Sequence, residues 1–182
     1  MKSTITYIKE ALRIKTGTKM IIAPNYKYHP KTQKELKELL KELIEKRGNE
    51  GDFNDIDTSE ITDMSSLFWN LTNFNGDISG WNVSNVENTD SMFWGCDSFN
   101  KPLNNWNVSK IKDMRYMFYG CESFNQPLNN WNVTNATNME NMFYGCKSFN
   151  QDISKWNVFK VKYMSGMFAN CHIDEKYKPN FK

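Results

Sequence analysis

The sequence contains few residues and no motif that would support catalysis. Its only histidines are His29 and His172, and neither a glycine-rich phosphate loop nor an H-E-x-x-H pattern is present. The acidic segment 52–57 also fails to match a calcium loop, because Ile56 interrupts its ligand spacing. We therefore expect a protein that is not an enzyme and that has no metal and no cofactor.

Long apolar runs are also missing. No stretch approaches the roughly 18 residues that a membrane span requires. The N-terminal segment MKSTITYIKEALRIKTG carries Lys9, Glu10, Arg13 and Lys15, so it lacks the apolar region of a secretory signal. The first cysteine is Cys96, which leaves no N-terminal site for lipid attachment. These features predict a cytoplasmic protein, with the cell surface as the alternative.

Basic residues are absent from residues 51–100, which carry nine acidic side chains and a net charge of −9. Residues 1–50 are basic, with a net charge of +6. We call the acidic side chains of residues 51–100 the acidic patch. It either favours a basic partner or forms a solubilising surface. Direct nucleic-acid binding by the basic segment is not favoured, because Lys and Glu alternate there as on a solvated helix face.

A repeat of 25 residues dominates the remainder of the chain. Trp81, Trp106, Trp131 and Trp156 are spaced by 25, and residues 101–125 and 126–150 are identical at 16 of 25 aligned positions. Such a period predicts a stack of similar units with long exposed faces. The expected units, whose first and last members are atypical, are 51–75, 76–100, 101–125, 126–150 and 151–175.

Each unit has the pattern of a short strand followed by a short helix. Met114, Met117, Phe118 and Cys121 fall at i, i+3, i+4 and i+7, which predicts one apolar helix face. Upstream, Leu103, Trp106 and Val108 have the spacing of a leucine-rich-repeat strand, with Asn105, Asn107 and Ser109 on its exposed face. The predicted fold is an α/β solenoid of five units.

Residues 1–50 do not repeat and are expected to form an α/β capping module. Thr32 and Glu35 form a capping box, a stripe from Leu36 to Ile44 is apolar, and Gly48 marks a stop, so a helix is predicted at about 33–47. Ile5, Ile8 and Leu12 suggest a shorter helix, and 20–22 a strand. Residues 176–182 form a C-terminal tail.

The unit W-N-V-S-x-V-x-x-M-x-x-M-F-x-x-C-x-x-F-N resembles the BspA-type leucine-rich repeats of bacterial surface proteins. It is also similar to the repeats of mycoplasma lipoproteins. The resemblance covers residues of about 51–171. It implies a right-handed solenoid, a binding or adhesive role and no catalysis.

Four groups of residues are candidates for a binding surface. Asp52, Asp55, Asp57, Glu60 and Asp77 are acidic. The column of Asp57, Asn82, Asn107, Asn132 and Asn157 either binds a partner or forms a structural amide ladder. Phe159 replaces a small hydroxyl residue and could anchor a partner. The column of Trp69, Trp94, Tyr119 and Tyr144 follows core phenylalanines and either binds a protein or covers the return loops.

The cysteines at 96, 121, 146 and 171 lack a C-x-x-C pair, so a zinc site has little support. Adjacent thiols could approach disulfide range, but free buried thiols fit the apolar stripe better.

These features favour a non-catalytic, intracellular protein-binding repeat protein of bacterial or phage origin. It would occlude the surface of a protein partner. One sharper hypothesis is an inhibitor of a nucleic-acid-binding enzyme, of the anti-CRISPR or another phage anti-defence type, which uses its acidic patch to occupy a basic groove. The alternative is a BspA-type adhesion protein. The identity of the partner and the oligomeric state stay open.

Overall fold

The computed structural model describes residues 14–16, 19–21 and 25–181. Two short strands, β1 (Ile14–Thr16) and β2 (Lys19–Ile21), pair antiparallel with Ile14 opposite Ile21. The strand predicted at 20–22 overlaps β2. The shorter helix predicted around Ile5, Ile8 and Leu12 lies outside the described residues.

Helix α1 spans Gln33–Arg47, over the range where the sequence predicts a helix. The Thr32 hydroxyl accepts a hydrogen bond from the Glu35 amide at 3.2 Å, which satisfies one of the free N–H groups of the first turn. The Glu35 carboxylate accepts from the Lys31 amide at 2.8 Å, one residue earlier than a standard capping box. Gly48 ends the helix with a φ of 75°. The buried face consists of Leu36, Leu40 and Leu43, which pack into one core with the first repeat unit.

The repeat units do not contain the predicted strands and helices, so an α/β leucine-rich-repeat solenoid is the wrong fold class. Within 51–175, the described chain is a succession of turns, connected between units by isolated parallel bridges at residues 63, 88, 113, 138 and 163. After α1, the next helical element is a three-residue 3-10 helix at Glu175–Tyr177. The exposed sheet face on which several candidate residues were expected is therefore not a sheet.

Left-handed residues explain why the helical pattern does not produce a helix. Tyr116 has a φ of 54° and Gly120 a φ of 71°, whereas an α-helix needs every φ near −60°. The amides of Met117 and Cys121 instead close turns onto the carbonyls three residues earlier. The Asp113 carboxylate, just before this stretch, accepts from the amide two residues on, as in a local Asx turn.

Consecutive units are connected by a ladder of backbone hydrogen bonds in which alternate residues donate to the next unit. The amides of Met114, Tyr116, Phe118 and Gly120 donate at 2.8–2.9 Å to the carbonyls 24 residues later. The four corresponding amides of the preceding and following units do the same. The spacing of the stacked units is therefore fixed by the backbone, as it is between strands of a sheet.

Two columns of stacked phenylalanine rings fill the core. Phe93, Phe118 and Phe143 stack with centroids 5.5 Å apart and their planes within 8°. A second column contains Phe74, Phe99, Phe124 and Phe149, at 5.9–6.0 Å. The tryptophans beside them are buried, and each donates its indole N–H to a backbone carbonyl 28 residues earlier.

Asparagine side chains form a further ladder between units. The side-chain oxygen of Asn75 accepts from the amide of Asn100, that of Asn100 from Asn125, and that of Asn125 from Asn150, at 2.9–3.0 Å. Asn150 in turn accepts from the amide of Asp174. This ladder satisfies backbone donors that no strand partner reaches.

Candidate protein-binding surface

Four aromatic side chains occupy the same position of successive units, and the last three of them stack into one stripe. We call Trp69, Trp94, Tyr119 and Tyr144 the aromatic column. Trp94 and Tyr119 stack with centroids 4.1 Å apart, and Tyr119 and Tyr144 stack at 4.6 Å with their planes within 3°. Trp69 is 54% exposed and the other three are partly exposed. The structure thus brings Trp94, Tyr119 and Tyr144 together at the surface, and Trp69 is exposed in the unit before them.

The backbone ladder sets the spacing of the aromatic column. Each member follows a buried phenylalanine and precedes a left-handed residue, which is Asn70 in the first unit and glycine in the next three. The amide of that residue donates to the carbonyl of the next aromatic residue, at 2.7 Å from Gly95 to Tyr119 and 2.8 Å from Gly120 to Tyr144. The rings are therefore held at stacking distance by backbone bonds on both sides of the column.

A shallow groove of ≈ 480 Å³ lies at the C-terminal end of the aromatic column. Its walls include Tyr119, Tyr144, Glu122, Lys147, Asn170 and His172. Lys147 pairs with Glu122, and the side-chain amide of Asn170 donates to the Tyr144 hydroxyl at 3.0 Å. Burial, followed by the neighbouring Tyr144, raises the pKa of Tyr119, so its hydroxyl is neutral at physiological pH. The groove combines aromatic rings with charged and neutral polar groups.

Three of the acidic candidates contact side chains of the N-terminal module. Asp55 accepts two hydrogen bonds from the Arg47 guanidinium, at 2.8 and 3.0 Å. Asp57 faces His29 at 3.3 Å, and Glu60 lies 3.7 Å from Lys31. Three members of the acidic patch therefore contact the N-terminal module, so its field is weaker than residues 51–100 alone indicate.

The other two acidic candidates support turns. Asp52 accepts from the Asn54 amide at 2.8 Å, and Asp77 accepts from the Ser79 amide at 2.9 Å. Farther along, Glu87 pairs with Lys112, and Asp90 pairs with Arg115 of the next unit. Most of the acidic patch thus has a structural role that the charge count does not reveal.

The Arg47–Asp55 pair should stabilise the fold in a pH-dependent way. The hydrogen bonds from Arg47 hold the pKa of Asp55 below its usual value. A depressed carboxyl pKa contributes stability above the unfolded-state pKa of about 3.9, and this contribution is lost as pH falls through the folded-state value. We expect Arg47→Met to lower the free energy of unfolding by about 1–2 kcal/mol at pH 7. In urea titrations, the difference from wild type should shrink below about pH 4.

The neighbouring Lys46 provides the matched control, because it is exposed and, within the described part of the chain, its one ion pair is with Glu42 on the same helix. Lys46→Met should have little effect at either pH. A loss that is equal for both variants, or independent of pH, would show that Asp55 is not the stabilising partner.

The column that contains Asp57 and the four asparagines, which we call the polar column, stabilises local turns and does not form an amide ladder. Asn82, Asn107 and Asn132 each accept from the amide and the hydroxyl two residues on. Asp57 and Asn157 accept from the amide at that position. Among the described residues, no hydrogen bond joins one member of the column to the next. The four asparagines are exposed, so they stay candidates for a binding surface.

Phe159 lies apart from the aromatic column. Its side chain is 93% exposed in the last repeat unit, which also exposes Tyr163 at 60% and Met164 at 43%. The sequence indicated Phe159 as an anomaly but missed Tyr163, which occupies the position of an aspartate or asparagine in the other four units. An alignment of this position across the five units would have shown that Tyr163 is unusual.

The four cysteines are free thiols, as expected from their position in the apolar stripe. Cys96, Cys121 and Cys146 are buried, and each donates to a phenylalanine carbonyl of the preceding unit at 2.9–3.0 Å. Burial raises the pKa of Cys96 to about 12. Within the described residues, no three His, Cys, Asp or Glu side chains are arranged to hold a metal ion.

Comparison with known proteins assigns the chain to one family. The family model described as "Mycoplasma protein of unknown function, DUF285" matches residues 35–150 and 103–178. These matches cover well over half of the sequence, so the chain belongs to this family. No curated protein and no solved structure matches. Among the helices of the described chain, none is both long and apolar enough to cross a membrane.

Proposed function

We propose that this chain is a non-catalytic protein-binding protein that occludes part of its partner's surface through the aromatic column. The observation that carries the proposal is the stacked, half-exposed arrangement of Trp94, Tyr119 and Tyr144 beside a groove. Aromatic side chains that are rigid before binding contribute most to protein interfaces, because little side-chain entropy is lost.

The geometry favours a protein partner over a sugar. A carbohydrate ring packs on a free aromatic face, but the facing surfaces of Trp94, Tyr119 and Tyr144 already cover one another. Ring edges and the Tyr144 hydroxyl remain at the surface, next to the Glu122–Lys147 pair. This mixture of aromatic edges and polar groups is typical of protein interfaces.

The inhibitor hypothesis and the adhesion hypothesis are two versions of this proposal. Charge mimicry by a cytoplasmic inhibitor would depend on carboxylates such as Asp97, which is exposed and has no ion-pair partner among the described residues. Adhesion at a cell surface is supported by the resemblance of the units to BspA-type repeats. Labelling of surface proteins on intact source cells separates the two, because only an adhesion protein would be labelled.

Affinity capture with quantitative mass spectrometry tests the proposal. Wild-type chain and the double variant Trp94→Ala/Tyr119→Ala would be compared on extracts of the source cell, with Lys112→Ala as a control on another column. The amount of partner captured should be at least about tenfold lower with the double variant than with wild type. The control should capture as much of it as wild type does. Equal capture by all three proteins would overturn a role for the aromatic column.

A further inference from the structure

The last repeat unit presents a row of backbone donors. In the unit before it, the amides of residues 139, 141, 143 and 145 donate at 2.8–2.9 Å to carbonyls of the last unit. The equivalent donors of the last unit are the amides of Met164, Gly166, Phe168 and Asn170, which we call the C-terminal edge. Within the described residues, these four amides have no hydrogen-bond acceptor. They alternate along the chain with the amides of Met167, Ala169 and Cys171, which close turns within the unit. Like the unpaired edge of a sheet, the row therefore offers backbone donors to another chain.

The side chains around the C-terminal edge are apolar where the other units are polar. Phe159 occupies a position that is serine or threonine in the other four units. Tyr163 replaces aspartate or asparagine, and Met164 is exposed, although Met114 and Met139 at the same position are buried. Terminal units of repeat arrays ordinarily have polar outer faces, which keep them soluble. An apolar outer face instead indicates a surface that is covered when the protein acts.

Part of this face is already covered by the C-terminal tail. Ile153 donates its amide to the carbonyl of Tyr177 at 3.0 Å, and Ile173 is buried. A groove of ≈ 240 Å³ remains between the tail and the last unit, and Phe159, Met164 and Phe181 lie along it. The groove is large enough for one apolar side chain next to the row of amides.

A second copy of the chain does not complement this edge. Two C-terminal edges would face donor to donor and could not form backbone hydrogen bonds. The opposite end of the stack is covered by α1, and the Ser65 carbonyl there accepts from the Gln33 side chain at 2.6 Å. Head-to-tail stacking would require α1 to leave the core that it shares with the first unit.

The charges near the edge favour an acidic occupant. Lys162 is exposed two residues before Met164, and no described carboxylate lies within ion-pair distance of it. Lys155 is exposed as well, but it lies near Asp152 and helps to lower the pKa of that carboxyl. Lys112, the equivalent lysine of the central unit, pairs with Glu87 in the unit before it. The residue at that place before Lys162 is Thr137, which has no charge to pair with a lysine. The tail lysines Lys176 and Lys178 are paired with Asp174 and Glu175.

We propose that the C-terminal edge binds an acidic segment of a partner polypeptide. The segment presents its carbonyls to the four amides, in the way that the last unit presents its carbonyls to the amides of the unit before it. One apolar side chain enters the groove beside Phe159 and Met164, and a carboxylate approaches Lys162. This site is separate from the aromatic column and does not depend on it.

Selection from a displayed library of random 12-residue peptides tests this proposal on the full chain. The comparison variant is Phe159→Ser/Tyr163→Asn, which restores the residues that the other units carry and so preserves the turns. Selected peptides should be rich in Asp, Glu and apolar residues and should bind this variant about tenfold more weakly than wild type. The variant Trp94→Ala/Tyr119→Ala should bind them as wild type does.

Amide hydrogen exchange locates the contact. Without peptide, the amides of residues 164, 166, 168 and 170 should exchange faster than those of 139, 141, 143 and 145, and peptide should slow them. The proposal would be overturned if these amides exchange slowly without peptide, because the chain itself would then cover the edge. It would also be overturned if light scattering shows concentration-dependent dimers that the Phe159→Ser/Tyr163→Asn variant abolishes. It would also fail if no selected peptide depends on Phe159 and Tyr163.

Discussion

Phe118→Ala should lower the free energy of unfolding by about 3–5 kcal/mol, the largest effect that we expect from a single substitution. Phe118 is fully buried in the central unit and stacks with Phe93, Phe124 and Phe143 at 4.4–5.5 Å. The rings around it are held by backbone bonds on both sides, so the cavity left by its removal cannot collapse readily. For a chain whose total stability is about 5–15 kcal/mol, this is a large fraction.

The matched control is Phe159→Ala, which removes the same side chain from an exposed position. Its effect on stability should be within about 0.5 kcal/mol. Urea unfolding followed by tryptophan fluorescence measures both variants. Similar losses for the two would mean that Phe118 does not lie inside the stack or that Phe159 is not exposed.

Gly76→Ala should destabilise the chain by about 1–3 kcal/mol because of overpacking. A Cβ at this position would lie 2.8 Å from Cδ2 of Phe53 and 2.8 Å from Cε2 of Phe74. Both rings are buried, and Phe74 cannot retreat because it stacks on Phe68 at 4.2 Å. The cost therefore comes from steric conflict within the core.

The sequence contains the reason for this glycine. Phe53 occupies a position that is isoleucine or leucine in the other four units, and the larger ring takes the space of a side chain at residue 76. Phe53→Leu should therefore relieve the conflict, and the double variant should be more stable than the sum of the single losses indicates. Additive losses in this double-mutant cycle would contradict the explanation.

Gly48→Ala separates backbone strain from overpacking. Gly48 has a φ of 75°, but a Cβ there would meet no atom within 4 Å. Only the backbone conformation opposes alanine, because a φ of 75° with a ψ of 174° is essentially restricted to glycine, at a cost of about 1–3 kcal/mol. Phe53→Leu should not rescue this variant.

The sequence predicted the period of 25 residues and the burial of the central residues of each unit. Trp106, Val108 and Met117 are buried as expected, because their columns are apolar in almost every unit. Helix α1 could be predicted as well, since its cap, its apolar face and its terminal glycine all lie close together in the sequence.

The local backbone could not be predicted in the same way. Apolar residues at i, i+3 and i+4 arise in a helix, but also where successive turns return the chain to the core every three or four residues. The feature that decides between them is the left-handed conformation at Tyr116, whose column contains a glycine only in the last unit, at Gly166. The unit-to-unit amide ladder stabilises that conformation, and such long-range bonds have no local signal.

The binding surfaces were only partly visible in the sequence. The aromatic column follows directly from the alignment of units, and its exposure agrees with a position next to the core phenylalanines. The acidic patch was misleading, because the cations that pair with it come from α1 or from the next unit. The role of the asparagine ladder from Asn75 to Asn150 was missed, because the sequence gives the column but not the amides that it accepts from.

Both proposed surfaces depend on one structural claim, that residues 113–121 and their equivalents form turns with left-handed residues and not helices. Backbone chemical shifts and HN–Hα couplings of the isotope-labelled chain test it directly. Our account predicts a positive φ at Tyr116 and Asn141 and no helical run through either residue. Continuous helical shifts from 114 to 121 would contradict it and would restore the leucine-rich-repeat fold.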